Sequence, residues 1–205
     1  MARLLMVRHG LTEFNEDRRF MGYSDIELNA AGKKQAERLR DYLAGEKIDV
    51  AYSSDLRRTM EMAEIVLAGR EIDIISCPEL RECDYGSCEG LTFGEINSRY
   101  PDVAEKCINF TLELEFPEGE HFEDFFERTS QFIDKLKKHG RSETVLISSH
   151  SGPLKILLCR LLEISDDHWW QLRVSNASLS VMEISPRGAV LTRLNDVSFL
   201  KGLDE

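Results

Sequence analysis

Short apolar runs alternate with longer amphipathic stretches along most of the chain. Leu4–Val7 is an apolar run that stops at the polar residues Arg8-His9-Gly10, as a buried strand does. Asn29-Ala-Ala-Gly opens a helical period with Ala36, Leu39, Tyr42 and Leu43 on one face, closed by Gly45. Val50–Ser53 reads as a second strand. Asp55 has the chemistry of an N-cap for a helix running through Leu67 to Gly69. Ile72–Ser76 reads as a short strand. From Tyr85 to Pro117 the chain is glycine-spaced, with one short helix near Phe93–Arg99. Phe122–Lys137 has a strong helical stripe of Phe125, Phe126, Phe132, Ile133 and Leu136.

Thr144–Ser148 is almost continuously β-branched or apolar and predicts another buried strand. Ser151-Gly-Pro then starts a helix through Leu162, with Pro153 in its first turn. Ser178–Ile184 and Ala189–Leu194 predict a hairpin around Pro186-Arg187-Gly188. Strands that alternate with helices imply an α/β fold, its sheet mostly parallel and covered by helices on both faces. Ligands in such folds bind beyond the carboxyl ends of the strands. Two of the predicted strands end directly in histidine loops, at His9 and at His150.

The chain has 205 residues, which suits a single domain spanning 1–205, with the glycine-spaced part as a helical and loop cap region around 85–125. Its 26 Lys and Arg against 37 Asp and Glu give a net charge of −11. That acidity argues against nucleic acid and anionic membranes as partners. It leaves room for a small anionic substrate in a local basic pocket. Five cysteines, none in a CxxC pair, suit a reducing cytoplasm. No stretch has the length of a membrane span or the pattern of a signal peptide.

Four strand-end loops each offer a chemical group: His9 with Arg8, Arg57, Glu82 and His150. Taken alone, each has a plain structural reading, as a solvated charge or a satisfied histidine. Together, two guanidinium forks match a phosphate, an imidazole can attack phosphorus, and a carboxyl can serve the leaving oxygen. Asn15 adds an amide, and the helix start at Ser151 and Gly152 adds backbone donors. His9, His150 and Glu82 could instead form a His₂Glu metal site, but two arginines beside a divalent cation argue against it. Ser149-His-Ser-Gly is not a nucleophile elbow, and neither a Walker A motif nor GxGxxG is present.

The ordered motifs resemble the histidine phosphatase superfamily, also called phosphoglycerate mutase-like. Arg8-His9-Gly10-Leu-Thr-Glu-Phe-Asn15 resembles its RHGxTxxN signature, and Gly22 to Ala36 a GxxDxxLTxxGxxQA stretch. Ser53-Ser-Asp-Leu-Arg57-Arg-Thr59 resembles SxLxRxxxTA, and Leu80-Arg-Glu82 with Tyr85 to Gly90 resembles LxE…GxxEG. Ser149-His150-Ser-Gly and Asn176-Ala-Ser match the second-histidine and late-strand motifs. The resemblance covers nearly the whole chain and implies a three-layer sandwich.

It also implies roles. His9 would be the nucleophile carrying a phosphohistidine. Arg8, Arg57 and His150 would clamp the phosphoryl oxygens, helped by Asn15 and the Ser151 amide. Glu82 would be the acid and then the base, and Gly22 and Tyr85 would line the substrate side. No metal or cofactor is implied. The two arginines would also keep His9 unprotonated. The sequence departs from the family pattern at Leu11, Asn29, His121 and Ser151, none of them in the catalytic set.

The mutases of this family carry an arginine-rich insertion for a second phosphate. Between Gly90 and Gly119 this chain has only Arg99 and Lys106 among many acids, which favours a phosphatase acting on a small phosphorylated metabolite. The size and the Phe116-Pro-Glu-Gly-Glu stretch are similar to α-ribazole-5′-phosphate phosphatases and to broad-specificity phosphatases alike. A phosphoglycerate mutase, or a non-catalytic binding scaffold, is the alternative. Trp169-Trp170 reads as packing rather than a substrate cap. The oligomeric state stays open, a homodimer included.

Overall fold

A computed structural model describes residues 2–109, 111–140 and 142–203. One six-stranded sheet organises them, in the order β3-β2-β4-β1-β5-β6. Its strands are β1 (Ala2–Arg8), β2 (Val50–Ser53), β3 (Ile74–Ser76), β4 (Thr144–Ser149), β5 (Leu179–Ser185) and β6 (Gly188–Asp196). The first four are mutually parallel, and the β5–β6 hairpin adds antiparallel to β1. Parallel neighbours require crossovers, and helices supply them. The α/β sandwich with a mostly parallel central sheet is therefore the observed fold.

The two faces of β1 show why. Leu5 and Val7 face a core completed by Ala36 and Leu39 of α2 (Ala30–Tyr42) and Met62 and Val66 of α3 (Arg57–Leu67). Leu4 and Met6 face the opposite core, with Phe132 of α6 (Phe122–Leu136) and Leu154, Leu157 and Leu158 of α7 (Ser151–Leu161). A strand buried on both faces must be apolar at every position, which is the pattern of Leu4–Val7. Phe132 is wholly buried, and truncating such a residue to alanine costs about 3–5 kcal/mol.

The segment from 85 to 125 holds two helices, α4 (Phe93–Arg99) and α5 (Pro101–Asn109). The sequence predicts the first and misses the second. Ile96, Val103 and Ala104 join Phe122, Phe125 and Phe126 of α6 in a third cluster. Trp169 packs edge-on against Phe122 and Phe126, and the Lys155 ammonium lies 5.0 Å over its ring. Trp170 is exposed. Asp55 does not cap α3, whose N-cap is Leu56. Its carboxylate takes two hydrogen bonds from Arg81 instead. Among the described residues no helix is long and apolar enough to cross a membrane.

Candidate active site

The strand order decides what meets at the carboxyl edge of the sheet. β4 lies between β2 and β1, with Arg8 in register with Ser149 and Ser53 with Ser148. One residue further on, each strand delivers a polar group to the same level: His9 from β1, His150 from β4 and Ser54 from β2. Both histidines are buried, with ring centroids 5.2 Å apart.

Hydrogen bonds fix both imidazole tautomers. His9 Nδ1 lies 2.7 Å from the Gly10 carbonyl, which can only accept, so Nδ1 carries the proton. Nε2 is left with its lone pair. At His150 the Arg58 Nε donates to Nδ1 across 3.2 Å, so the proton sits on Nε2 and is donated to Ser54 Oγ at 3.0 Å. Burial first, then the Arg58 and Arg8 charges, push His9 well below the ordinary 6.5. Burial and Arg58 do the same to His150. Both rings are neutral at pH 7, and a neutral ring is the nucleophilic form.

The arginine that α3 turns toward the two histidines is Arg58. Fully buried, it donates to His150, to the Ser24 carbonyl and to the Gly22 carbonyl. Burial lowers its pKa to about 10, which leaves it cationic at neutral pH. Arg57, expected in the clamp, points to solvent and pairs with Glu27 at 2.7 Å. One residue along a helix turns a side chain by about 100°, enough to exchange inside for outside. Gly22, expected to line the substrate side, instead holds Arg58 through its carbonyl. It is itself anchored by Glu89, which accepts from the Gly22 and Tyr23 amides.

Arg8 donates from Nη1 to the Val174 carbonyl, while its buried Nε has no hydrogen-bond partner among the described residues. An unpaired buried guanidinium donor near a neutral histidine is suited to meet an anion. A cavity of about 310 Å³ opens over it, lined by Arg8, His9, Asn15, Glu82, Tyr85 and Ser151 together with Arg18, Arg19, Phe20 and Met21. The sequence names the first six and none of the last four. Arg58 and His150 stand behind this wall rather than in it.

Asn15 is held by local structure. It is the third residue of α1 (Glu13–Glu16), where a capping box with Thr12 fixes its carboxamide. Its Oδ1 accepts from Thr12 and from Asn176 Nδ2 at 3.0 Å, which leaves its own NH₂ as donor to the cavity. Asn176 also reaches the His9 and Gly10 carbonyls at 3.4 Å and so ties the late strand to the histidine loop.

Glu82 follows the turn after β3. Its Oε1 accepts from the Cys83 amide and its Oε2 from the Gly152 amide, each at 3.1 Å. The Gly152 amide, expected to bind an oxyanion, is therefore committed to Glu82. A Cβ at position 152 would sit 2.2 Å from Glu82 Oε1 and 2.7 Å from the Phe125 ring, so a side chain there would push the carboxylate and the ring aside. Arg128, which the sequence does not single out, ties the loop down by donating to the carbonyls of Arg81 and Glu82 and to the Glu120 carboxylate. Tyr85 packs edge-on against Phe20 and Phe116, and burial pushes its phenol well above its usual range. Among the described residues no group of three or more His, Cys, Asp or Glu side chains is arranged to hold a metal ion.

Residues 4–197 match the family model of the histidine phosphatase superfamily, branch 1. The chain belongs to that superfamily. It is 31% identical over 195 residues to phosphoserine phosphatase 1 of Hydrogenobacter thermophilus, covering 95% of this chain and 92% of that one. To the adenosylcobalamin/alpha-ribazole phosphatase of Escherichia coli it is 30% identical over 193 residues, 94% and 95% of the two chains. The solved alpha-ribazole phosphatase of Shigella flexneri superposes with a TM-score of 0.89 at 29% identity, covering 95% of this chain and 96% of that one. Membership of the superfamily and phosphatases of matching length make this histidine phosphatase domain an enzyme of the phosphatase class.

Proposed function

We propose that this histidine phosphatase hydrolyses a small phosphomonoester through a phosphohistidine on His9, with no metal ion required. The observation that carries the reading is the His9–Gly10 hydrogen bond, which leaves the Nε2 lone pair free in a cavity that Arg8, with its unpaired Nε, also lines. The phosphoryl oxygens lie against Arg8 and the Asn15 NH₂, and the Arg58 charge behind the cavity wall adds to the field that offsets the charge building up on the transferring group. Nε2 attacks phosphorus as the P–O bond to the alcohol breaks. Glu82, in its acid form, gives its proton to the departing oxygen. A water then attacks phosphorus, Glu82 takes its proton, the P–N bond breaks, and His9 returns to its neutral form as phosphate leaves.

His150 acts here as a positioning residue: its ring receives Arg58 on one side and leans on Ser54 on the other. The relatives named for phosphoserine and for alpha-ribazole phosphate define the range of alcohols to test.

The test is turnover of p-nitrophenyl phosphate in EDTA, followed by acid-quench trapping of labelled phosphoenzyme. Wild type should turn over and carry label, and His9→Ala should do neither. A His9→Ala protein that still turns over would overturn the mechanism.

A further inference from the structure

The cavity holds more positive charge than the phosphoryl group uses. Arg8 is assigned to the phosphate, and Arg58 stands behind the cavity wall with its donors committed to His150, Ser24 and Gly22. Arg19 lines the cavity too, but its Nη1 donates to the Gly90 carbonyl at 2.7 Å, and Asp17 and Glu95 flank it. Arg18 remains. It is exposed, it lines the cavity, and among the described residues its guanidinium makes no hydrogen bond or ion pair.

Its backbone adds an independent observation. Arg18 follows the C-cap of α1 with φ +56, in the left-handed region, and its amide donates to the Asn15 carbonyl at 3.2 Å. Glycine is the residue that ends helices there without steric cost. This site carries a long cationic side chain instead, three residues after Asn15 and joined to it by that one backbone bond. Left-handed non-glycine residues cluster at ligand clamps, where position matters more than local comfort.

We propose that Arg18 is a specificity-determining residue that binds a carboxylate on the alcohol portion of the substrate. This rests on the phosphomonoesterase reading above. A single guanidinium fork matches the geometry and charge of one carboxylate. A second phosphate dianion would call for more than one uncommitted cation, and the cavity offers one. A neutral alcohol portion would give Arg18 nothing to bind.

O-phosphoserine and O-phosphoethanolamine form a matched pair, because they differ only in the carboxylate. The wild type should favour phosphoserine by about tenfold or more in kcat/KM, the worth of one charge-assisted hydrogen bond. Arg18→Gly and Arg18→Gln should both erase the preference, chiefly by raising KM for phosphoserine. Arg18→Gly should not lower the melting temperature, since glycine suits the backbone there. A preference that survives in both variants, or a wild type that shows none, overturns the inference. A preference for propane-1,3-diol bisphosphate that depends on Arg18 overturns it in favour of a second phosphate. A wild type that hydrolyses no phosphomonoester, p-nitrophenyl phosphate included, removes instead the phosphatase reading beneath it.

Discussion

Arg58 Nε donates to Nδ1 of His150 across 3.2 Å, and this contact sets which nitrogen of His150 carries its proton. The guanidinium is in turn held by the Ser24 and Gly22 carbonyls, so the ring and the cation position each other. Arg58→Ala should lower kcat/KM for p-nitrophenyl phosphate by about 10²–10³, the usual cost of one preorganised donor in a site. Arg58→Lys should recover little of it, because an ammonium lacks the fork that reaches three acceptors. Arg57→Ala should stay within about twofold, as exposed ion pairs contribute little. Equal losses at 57 and 58 would contradict this assignment.

Gly152 brings its amide to Glu82 at 3.1 Å and leaves no room for a methyl group. Gly152→Ala should displace the Glu82 carboxyl while His9 keeps its place. The expected result is a drop in kcat of about 10² on an alkyl phosphate, within the range general acids supply. The drop on p-nitrophenyl phosphate should be smaller, because that leaving group needs little protonation. The ratio of the two losses is the measurement, and a uniform loss would assign Gly152 to folding alone.

Both site histidines are held well below 6.5 in the native protein, chiefly by burial. The unfolded chain takes up these protons near 6.5, and the native chain does so only at lower pH. The stability they contribute is therefore present above 6.5 and is lost as pH falls below it. The expected slope is about 1.4 kcal/mol per pH unit for each histidine. Urea unfolding at pH values between 6.5 and about 5 should show it, and His9→Asn should flatten it by one proton. Parallel slopes for the two proteins would refute the linkage.

Arg128 joins Glu120 to the backbone on either side of Glu82. Arg128→Met keeps much of the bulk and removes every one of those bonds. It should cost about 2–3 kcal/mol of stability, the scale of buried bonds to a charged group. It should also lower kcat at temperatures where the protein stays folded, since Glu82 loses its anchor. Thermal unfolding and turnover measured on the same preparation distinguish the two effects.

The strand ends were legible because apolar runs that stop at a histidine leave little choice of depth. Leu4–Val7 and Thr144–Ser148 therefore put both rings just past strand ends, where the structure has them. Arg57 and Arg58 were not separable in this way. The SxLxR spacing counted from Ser54 and Leu56 falls on Arg58, one residue past the expected Arg57, and the packing of α3 agrees by burying Arg58. The helix Pro101–Asn109 was missed although Val103 and Cys107 share a face at i, i+4 spacing, because it has only nine residues and follows directly on another short helix in the glycine-spaced stretch. Asp55 looked like a cap until its partner Arg81, distant in sequence, came into view.

The pairing of β1 with β4 joins the beginning of the chain to a strand well past its midpoint. His9 and His150 thus become neighbours only after a long loop has closed, and such non-local contacts are the slow ones to form. Activity regained on refolding should then follow the slowest conformational phase, trailing helix formation. The enzyme's own turnover would serve as a clock for completion of its central sheet.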